Sequence, residues 1–472
     1  MDAKFDTLCE QLPLWKSRRI FLAIYLSFGL TLLFAMRLSL SLAIVDMTKN
    51  LADEKNATQF ECYFYNKTST KHKGPYDWSE DTQSWVLSAF YYGYAGFMIP
   101  GGLLADRIGG KMALFMAVFG SAILTLLTPL FAYLNVYAFI VLRVIEGALE
   151  SPFFTAMAIL INKWCFKSEN TIFYAIATSG QYLGFIIMQP ITGYLCSLTF
   201  LGGWPLGFYI YGSLATLWSL IWLYFVNESP QESRFLSGLE INMLRHYSIK
   251  SENRAKESLS LRKIFSCTPL YGICIAEVGA ALNTCIIMNC LPMFLSNVLG
   301  VDIQSNGLLN AIPFAVSLLG YMFSSVLVDN LRGTILSLRS ARSLVFLSSA
   351  CGAAIVGFFI KVAGCNPTIV ITVISFNLFF QACSISQISP NLMELFPNYT
   401  GLMYGIINTV VNGISLISPY VVDIFTKGNI ESSEHWQHAF SLACVLTIIC
   451  AIIYVLLRQV TPVEWAKDEE FL

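Results

Sequence analysis

The stretch Arg143-Val-Ile-Glu-Gly-Ala-Leu-Glu150 sets three charged side chains inside an apolar run that extends over residues 136–161. A charge at bilayer depth costs roughly 2.5–3.5 kcal/mol on insertion scales. On an α-helix the two glutamates fall within roughly 60° of the arginine, so the three side chains share one face. That face is expected to line a bundle interior or a water-filled path. A cation beside two carboxyls is suited to binding an anion and exchanging protons.

The composition of the chain is that of a polytopic membrane protein. Its 472 residues are 56% hydrophobic and only 12% charged, and the mean hydropathy is +0.61. These values argue against a soluble enzyme, and a formal net charge of −1 argues against a nucleic-acid partner. The 13 cysteines show no metal-ligand spacing, and the sequence contains no nucleophile–base arrangement. We therefore predict no metal, no cofactor and no enzymatic activity.

Apolar runs of about 20 residues recur along the chain and predict an all-α membrane protein with twelve transmembrane helices. The predicted spans are 20–45, 84–105, 112–132, 136–161, 171–196, 206–226, 268–292, 306–328, 343–362, 368–391, 401–425 and 436–457. A charged central segment at 228–266 separates two six-helix halves, 20–227 and 267–457. Residues 1–19 and 458–472 are the predicted cytosolic ends.

The basic residues orient these spans. With both ends in the cytosol, 20 of the 29 Lys and Arg residues lie on the inner side and seven on the outer side, which obeys the positive-inside rule. Most of the outer ones fall in one large loop at 46–83. The sequons at Asn56 and Asn66 lie in that loop, so both are expected to carry N-linked glycans. Cys62 and Cys365 also fall in predicted outer loops, and their pairing as a disulfide is left open.

Weak internal repetition supports two related halves. Residues 102–111 read GLLADRIGGK in the loop after the second span, and the corresponding place in the second half reads DNLR. The charged pairs at these matched positions are Asp106 with Arg107 and Asp329 with Arg332. They are predicted to act as conformational latches between neighbouring helices. The alternative is that they are two ordinary charged loops.

Several longer segments accompany the charged stretch of the fourth span. They are AIVDM at 43–47, IPGGLLADRIGGK at 99–111, KW at 163–164, GWPLGFY at 203–209, QSNGLLNAIP at 304–313, NLMELFP at 391–397 and GLMYGIINT at 401–409. Together they resemble the major facilitator superfamily. Within it they resemble the anion-transporter family that contains sialin, the vesicular glutamate transporters and the sodium–phosphate cotransporters, and the sialin-like members in particular. The resemblance implies a major facilitator fold and a lysosomal or vesicular membrane, with the plasma membrane as the alternative.

The resemblance also assigns roles to single residues. Arg37 matches the first-span arginine of the family, and Arg143 matches the fourth-span arginine. Glu146 and Glu150 match the two glutamates of sialin, where the resemblance implies proton coupling. Ala280 stands where the glutamate transporters carry a substrate-binding arginine, which weakens a glutamate-specific interpretation.

The candidate substrate-binding residues are Arg37, Arg143, Tyr182 and Asn408. An arginine presents a planar fork of donors, stays charged and suits a carboxylate or phosphate. Snorkelling is the alternative for Arg37, a structural ion pair is the alternative for Arg143, and hydrogen bonding between helices is the alternative for the polar residues. Glu146 and Glu150 are the candidate proton carriers. Glu277 has no evident partner in its span, so it is either a further proton site or a position that faces water.

The sequence therefore predicts a proton-coupled secondary active transporter of small organic anions that works by alternating access. Sialic acid, acidic sugars or other monocarboxylates are the expected substrates, and the chain is expected to act as a monomer in the lipid bilayer. The alternatives within the class are a sodium-coupled phosphate or organic-anion cotransporter and a vesicular acidic amino-acid transporter. The alternatives from a different class are an anion channel and a non-transporting paralogue.

Overall fold

The computed structural model describes residues 19–48, 74–165, 170–230, 264, 266–334, 338–396, 400–427, 432–457 and 463. The sequons at Asn56 and Asn66 lie outside these residues, as does Cys62, so the glycans stay predictions. Cys365 takes part in a disulfide bond, and Cys62 is the partner that the sequence analysis considered without predicting it.

The described part of the N-terminal half folds into eight α-helices, and its fourth and fifth spans are each divided into two shorter helices. The helices are α1 (Ile20–Met47), α2 (Glu80–Ile108), α3 (Gly110–Leu134), α4 (Val136–Glu150), α5 (Phe153–Trp164), α6 (Asn170–Leu183), α7 (Gln189–Ser197) and α8 (Pro205–Phe225). Ser151 and Pro152 separate α4 from α5 within the fourth span, because proline cannot donate the hydrogen bond that a continuous helix needs. A π-helical turn at Gly184–Met188 joins α6 to α7.

The C-terminal half repeats this pattern over its described residues. Its helices are α9 (Thr268–Asn297), α10 (Ile303–Thr334), α11 (Leu338–Phe358), α12 (Pro367–Ile385), α13 (Ile388–Leu395), α14 (Thr400–Ser415), α15 (Ser418–Thr426) and α16 (Ser433–Leu457). The tenth span comprises α12 and α13, and the eleventh comprises α14 and α15.

Ten helical stretches within the described residues are long and apolar enough to cross a membrane. The second and fifth predicted spans fall short by this measure. Tyrosines and glycines lower the mean hydropathy of the interior of α2, and α6 ends after 14 residues at the π-helical turn. Both nevertheless pack along apolar partners, α2 on α4 and α6 on α1. They complete the twelve spans of the fold.

Glycines allow α2 and α4 to cross in close contact. A Cβ added to Gly93 would lie 1.7 Å from the carbonyl oxygen of Val144, and one added to Gly147 would lie 1.9 Å from the carbonyl oxygen of Phe90. Small residues at such crossings let helix backbones approach within a membrane. The crossing places the charged face of α4 directly against α2.

The two halves also meet through glycines, between α7 and α10. A Cβ added to Gly193 would lie 2.9 Å from the Cα atom of Gly307. In the orientation that the basic residues predict, α7 is the outer end of the fifth span and Gly307 stands near the outer end of the eighth. The halves are therefore packed together at the outer side of the bundle.

Polar contacts between α2 and the end of the eleventh span lie on the same side. The hydroxyls of Tyr92 and Tyr420 are 3.2 Å apart. Lys427 donates to both carboxyl oxygens of Asp81, at 2.9 and 3.1 Å. These contacts join α2 of the first half to the end of the eleventh span in the second half.

Candidate functional site

Arg143 and Glu146 form a buried ion pair on α4. The Nη1 atom of Arg143 lies 2.7 Å from Oε2 of Glu146, and the side chains are 2% and 0% exposed. Thr125 of α3 donates to the other glutamate oxygen at 3.1 Å, and Nη2 of Arg143 donates to the carbonyl oxygen of Arg37 at 3.4 Å. Each of the two charges therefore has a partner inside the protein, as a buried ion pair requires.

Glu150 lies one turn further along the same face, and none of the residues that the structure describes forms an ion pair with it. Its side chain is buried, and its Oε1 atom has no hydrogen-bond partner in the residues that the structure describes. The charges of Glu146, Arg37 and Arg143 all act on it. Because a buried carboxylate without full compensation is costly, a carboxyl in this position gains by taking up a proton.

Arg37 differs from Arg143 in how its charge is surrounded. It is half-buried, and its guanidinium lies 4.5 Å from the ring centres of Phe90 and Tyr91 and 5.5 Å from that of Tyr94. No carboxylate forms an ion pair with it among the described residues, and its Nε atom has no hydrogen-bond partner there. Cation–π contacts compensate a charge only weakly, by about 0.5–2 kcal/mol. Arg37 thus keeps donors that an incoming anion can use.

A second polar group lies around Glu277 on α9. Its side chain is half-buried and electrostatically close to Tyr182 of α6 and Tyr321 of α10. Tyr182 of the first half and Glu277 of the second therefore lie within electrostatic range of each other. Ala280, one turn away, is buried.

Asn408 is half-buried on α14. Its backbone carbonyl oxygen accepts a hydrogen bond from Nδ2 of Asn412 at 2.7 Å. The side-chain amide of Asn408 takes no part in this hydrogen bond. The other candidate polar residue of its half, Glu277, lies on α9.

The predicted latches remain predictions. Asp106 and Arg107 are exposed at the end of α2, and the side chains of Asp329 and Arg332 lie outside the part of the chain that the structure describes.

Glu228, which the sequence analysis did not single out, occupies the inner end of the N-terminal half instead. Its carboxylate accepts hydrogen bonds from the backbone N–H groups of Gly110 and Lys111, at 3.0 and 2.7 Å, and pairs with Lys163. Partial burial alone would raise its pKa, but the bonds from Lys163 and the two N–H groups hold the pKa below its ordinary value. Gly109 makes room for this carboxylate with a positive φ of 88°. The sequence carries no local signal for this role, because Glu228 stands 118 positions after Gly110 in the chain.

The chain matches a known protein family over most of its length. Residues 20–419 and 273–471 match the family model of the Major Facilitator Superfamily. The chain is 30% identical to sialin of Homo sapiens over 98% of this chain and 93% of that protein. It is 26% identical to vesicular glutamate transporter 2 of Homo sapiens, over 98% of this chain and 77% of that protein. A putative inorganic phosphate cotransporter of Drosophila melanogaster is also 26% identical, over 96% and 87% of the two chains.

Solved structures share the fold at low sequence identity. The inward open conformation of the xylose transporter XylE from E. coli superposes with a TM-score of 0.66 at 14% identity, covering 92% of this chain and 95% of that one. A bacterial homologue of the human lysosomal transporter Spinster, inward-facing and occupied, gives 0.63 at 15% identity, covering 93% and 96%. At these identities the likeness establishes the architecture alone.

Proposed function

Because the chain belongs to the Major Facilitator Superfamily, we propose that it is a proton-coupled secondary active transporter of small organic anions, with sialic acid, acidic sugars or other monocarboxylates as substrates. The chain is a multi-pass integral membrane protein whose relatives include sialin and vesicular glutamate transporters. Its proposed location is a lysosomal or vesicular membrane, where it acts as a monomer with its own central path.

One observation carries the proposal. A half-buried arginine without an ion pair among the described residues, Arg37, and a buried carboxyl, Glu150, share one site with the complete ion pair of Arg143 and Glu146. Arg37 is therefore the proposed anchor for the anion, since its fork of donors matches a carboxylate. Glu150 is the proposed proton carrier, since protonating Glu146 would cost the bonds from Arg143 and Thr125.

The charges of this site explain why proton and anion would move together. Two arginines and Glu146 give the site a net charge of +1 when Glu150 is protonated, and zero when it is ionised. An anion binds favourably to the first state and leaves it neutral. A neutral site is cheaper to enclose within the membrane than a charged one. Both ligands then bias the same change between inward and outward states, which is the thermodynamic requirement for symport.

Tyr182, Glu277 and Asn408 would form the side of the central path opposite Arg37, which we call the second wall. They would contact the part of the substrate that faces away from Arg37. Glu277 would either exchange a further proton or add negative charge to this wall. Whenever Glu277 is ionised, a substrate with a second carboxylate would meet repulsion there, which favours monocarboxylates over dicarboxylates.

Uptake into proteoliposomes tests the proposal. The purified protein would be given labelled sialic acid, glucuronate, glutamate and inorganic phosphate, each with and without an inward proton gradient. We expect the gradient to accelerate uptake of a monocarboxylate and a proton ionophore to remove the effect. The matched control is Arg37→Gln protein, which should show neither uptake nor its stimulation.

Two alternatives give different results in the same vesicles. Uptake that requires external sodium and ignores the proton gradient would establish sodium coupling instead. Unlabelled substrate on the far side accelerates the flux of a carrier but not of a channel. Absence of this trans-stimulation would therefore reject a carrier.

A further inference from the structure

Tyr91 joins the two halves of the bundle through hydrogen bonds. It is 2% exposed on α2, and its hydroxyl donates to Oδ1 of Asn289 on α9 at 3.2 Å. Asn289 in turn donates from Nδ2 to the hydroxyl of Ser418, the first residue of α15, at 3.5 Å. Tyr91 belongs to the first half and the other two residues to the second. The bond between Tyr91 and Asn289 therefore has to break when the halves separate at this level.

The same tyrosine lies against the proposed anion anchor. The guanidinium of Arg37 stands 4.5 Å from the centre of the Tyr91 ring. A cation beside a phenol draws electron density from it and makes its O–H group a stronger donor, and neighbouring hydrogen bonds in a low dielectric reinforce one another. The bond from Tyr91 to Asn289 is consequently strongest when no anion offsets the charge of Arg37.

We propose that Tyr91 is a positioning residue that reports anion occupancy of Arg37 to the contact between the halves. The inference rests on the proposed binding of the substrate anion to Arg37. In the empty carrier no bound anion offsets the charge of Arg37, so the guanidinium strengthens the bond from Tyr91 to Asn289 and holds the halves together. An anion at Arg37 offsets that charge and draws the guanidinium toward itself, which weakens the bond and lets the halves part.

Neighbouring tyrosines lack this combination of contacts in the described part of the chain. Tyr94 lies 5.5 Å from the Arg37 guanidinium, but no hydrogen bond joins its hydroxyl to the second half within the residues described. Tyr92 does bond to Tyr420 of the second half, but its side chain is exposed and does not face Arg37. Of these three tyrosines, Tyr91 is the one that both contacts Arg37 and donates a hydrogen bond to the opposite half within the described residues.

A kinetic asymmetry follows. The empty carrier should change sides more slowly than the loaded one, so the wild-type protein should exchange internal for external anion faster than it releases anion into an anion-free medium. The ratio of exchange to net efflux measures this asymmetry. It separates a link between occupancy and gating from a general loss of structure, which would lower both fluxes together.

The experiment compares this ratio in full-length wild-type and Tyr91→Phe protein in proteoliposomes loaded with each labelled anion of the uptake panel. Phenylalanine keeps the ring beside Arg37 but removes the donor. We expect the ratio to fall about fivefold toward one, mainly because net efflux becomes faster, which is the size expected for losing one hydrogen bond of ordinary strength. Anion affinity at the cytosolic side should change less than twofold.

Two further variants make the result specific. Asn289→Leu removes the acceptor and should lower the ratio as Tyr91→Phe does. The double variant should then be no lower than either single one, because both substitutions break the same bond. Tyr94→Phe also removes a hydroxyl beside Arg37 and should keep the wild-type ratio. Asn289→Leu provides an independent reading if the Tyr91 variant does not fold.

The outcomes separate this inference from the function on which it rests. A wild-type ratio in both Tyr91→Phe and Asn289→Leu, or an equal loss of both fluxes, overturns the role of Tyr91 and leaves anion binding at Arg37 intact. Unchanged transport by Arg37→Gln protein rejects the anion site itself, whatever the Tyr91 variant does.

Discussion

The two halves of the bundle treat buried polarity in different ways. On α4 the first half buries three ionisable side chains, those of Arg143, Glu146 and Glu150. At comparable depth the second half buries amides, with Asn283 donating to Asn377 at 2.9 Å. Charges in a membrane interior need partners, whereas amides satisfy one another without a net charge. Under the proposed function, the first half would bind the substrate anion and the proton, while the second half would supply contacts that change as the path opens.

The largest expected effect tests whether anion binding really belongs to the first half. Arg37→Gln should lower monocarboxylate uptake by about 100-fold or more, since two charge-assisted hydrogen bonds of about 1.5–3 kcal/mol each are lost. Arg37→Lys should recover only part of the uptake, because an ammonium lacks the fork. Initial uptake rates under a fixed proton gradient, on protein with wild-type thermal stability, give the answer.

The matched control lies in the second half. Gln381 on α12 is buried and its amide has no hydrogen-bond partner in the residues described, so Gln381→Leu should change uptake less than threefold. An equally severe loss in this variant would show that both halves bind the anion, and the contrast between them would fail.

The second prediction is that Glu150 and Glu146 of α4 affect different measurements, proton coupling for Glu150 and protein stability for Glu146. Glu150→Gln should abolish stimulation by the proton gradient while exchange of bound anion continues, because glutamine resembles the protonated acid but carries no proton across. Glu146→Gln should instead destabilise the protein by about 3–5 kcal/mol, because Arg143 loses its buried partner. Gradient-dependent uptake and thermal unfolding of both variants are the measurements. Wild-type proton dependence in the Glu150 variant would exclude it as the carrier.

The broad architecture could be predicted from the sequence, because the apolar composition of each span alone indicates a helix that crosses the membrane. Apolar runs of membrane length predicted the twelve helices, and the family likeness is confirmed. The spacing of Arg143, Glu146 and Glu150 predicted one shared face, and α4 buries all three. Such properties follow from helix geometry within a single element.

Contacts between distant elements were beyond the reach of sequence patterns. Which arginine is paired depends on Thr125 of another helix and on the glycine crossing of α2 with α4. The bond from Tyr91 to Asn289 spans 198 positions of the chain. The π-helical turn within the fifth span was not predicted either, and no local signal marks it.

The third prediction sharpens the contrast by removing the acid from the second wall. Glu277→Gln should raise glutamate uptake relative to sialic acid uptake by about three- to tenfold, since a charge about 10 Å from a second carboxylate repels it by roughly 1–2 kcal/mol at an effective dielectric constant of about 20. Paired uptake measurements at one pH determine the ratio. A fall in the ratio would mean that Glu277 aids substrates with a second charge instead of opposing them.

The smallest expected effect concerns the inner end of the first half, where Glu228 bonds to the start of α3 and to Lys163. Its lowered pKa means that the folded protein holds the ionised form more firmly than the unfolded chain does. The resulting stability is fully present above the unfolded pKa of about 4.3 and is lost as the pH falls through the folded value. Glu228→Gln should therefore lower the stability at pH 7 by under about 1 kcal/mol, because the pair is partly exposed, and the difference from wild type should vanish toward pH 3. Asp106→Asn, at the exposed end of α2, should show a smaller difference at every pH. If Asp106→Asn is the more damaging of the two, the Asp–Arg pair predicted from the repeated loops holds this end of the half, and Glu228 does not.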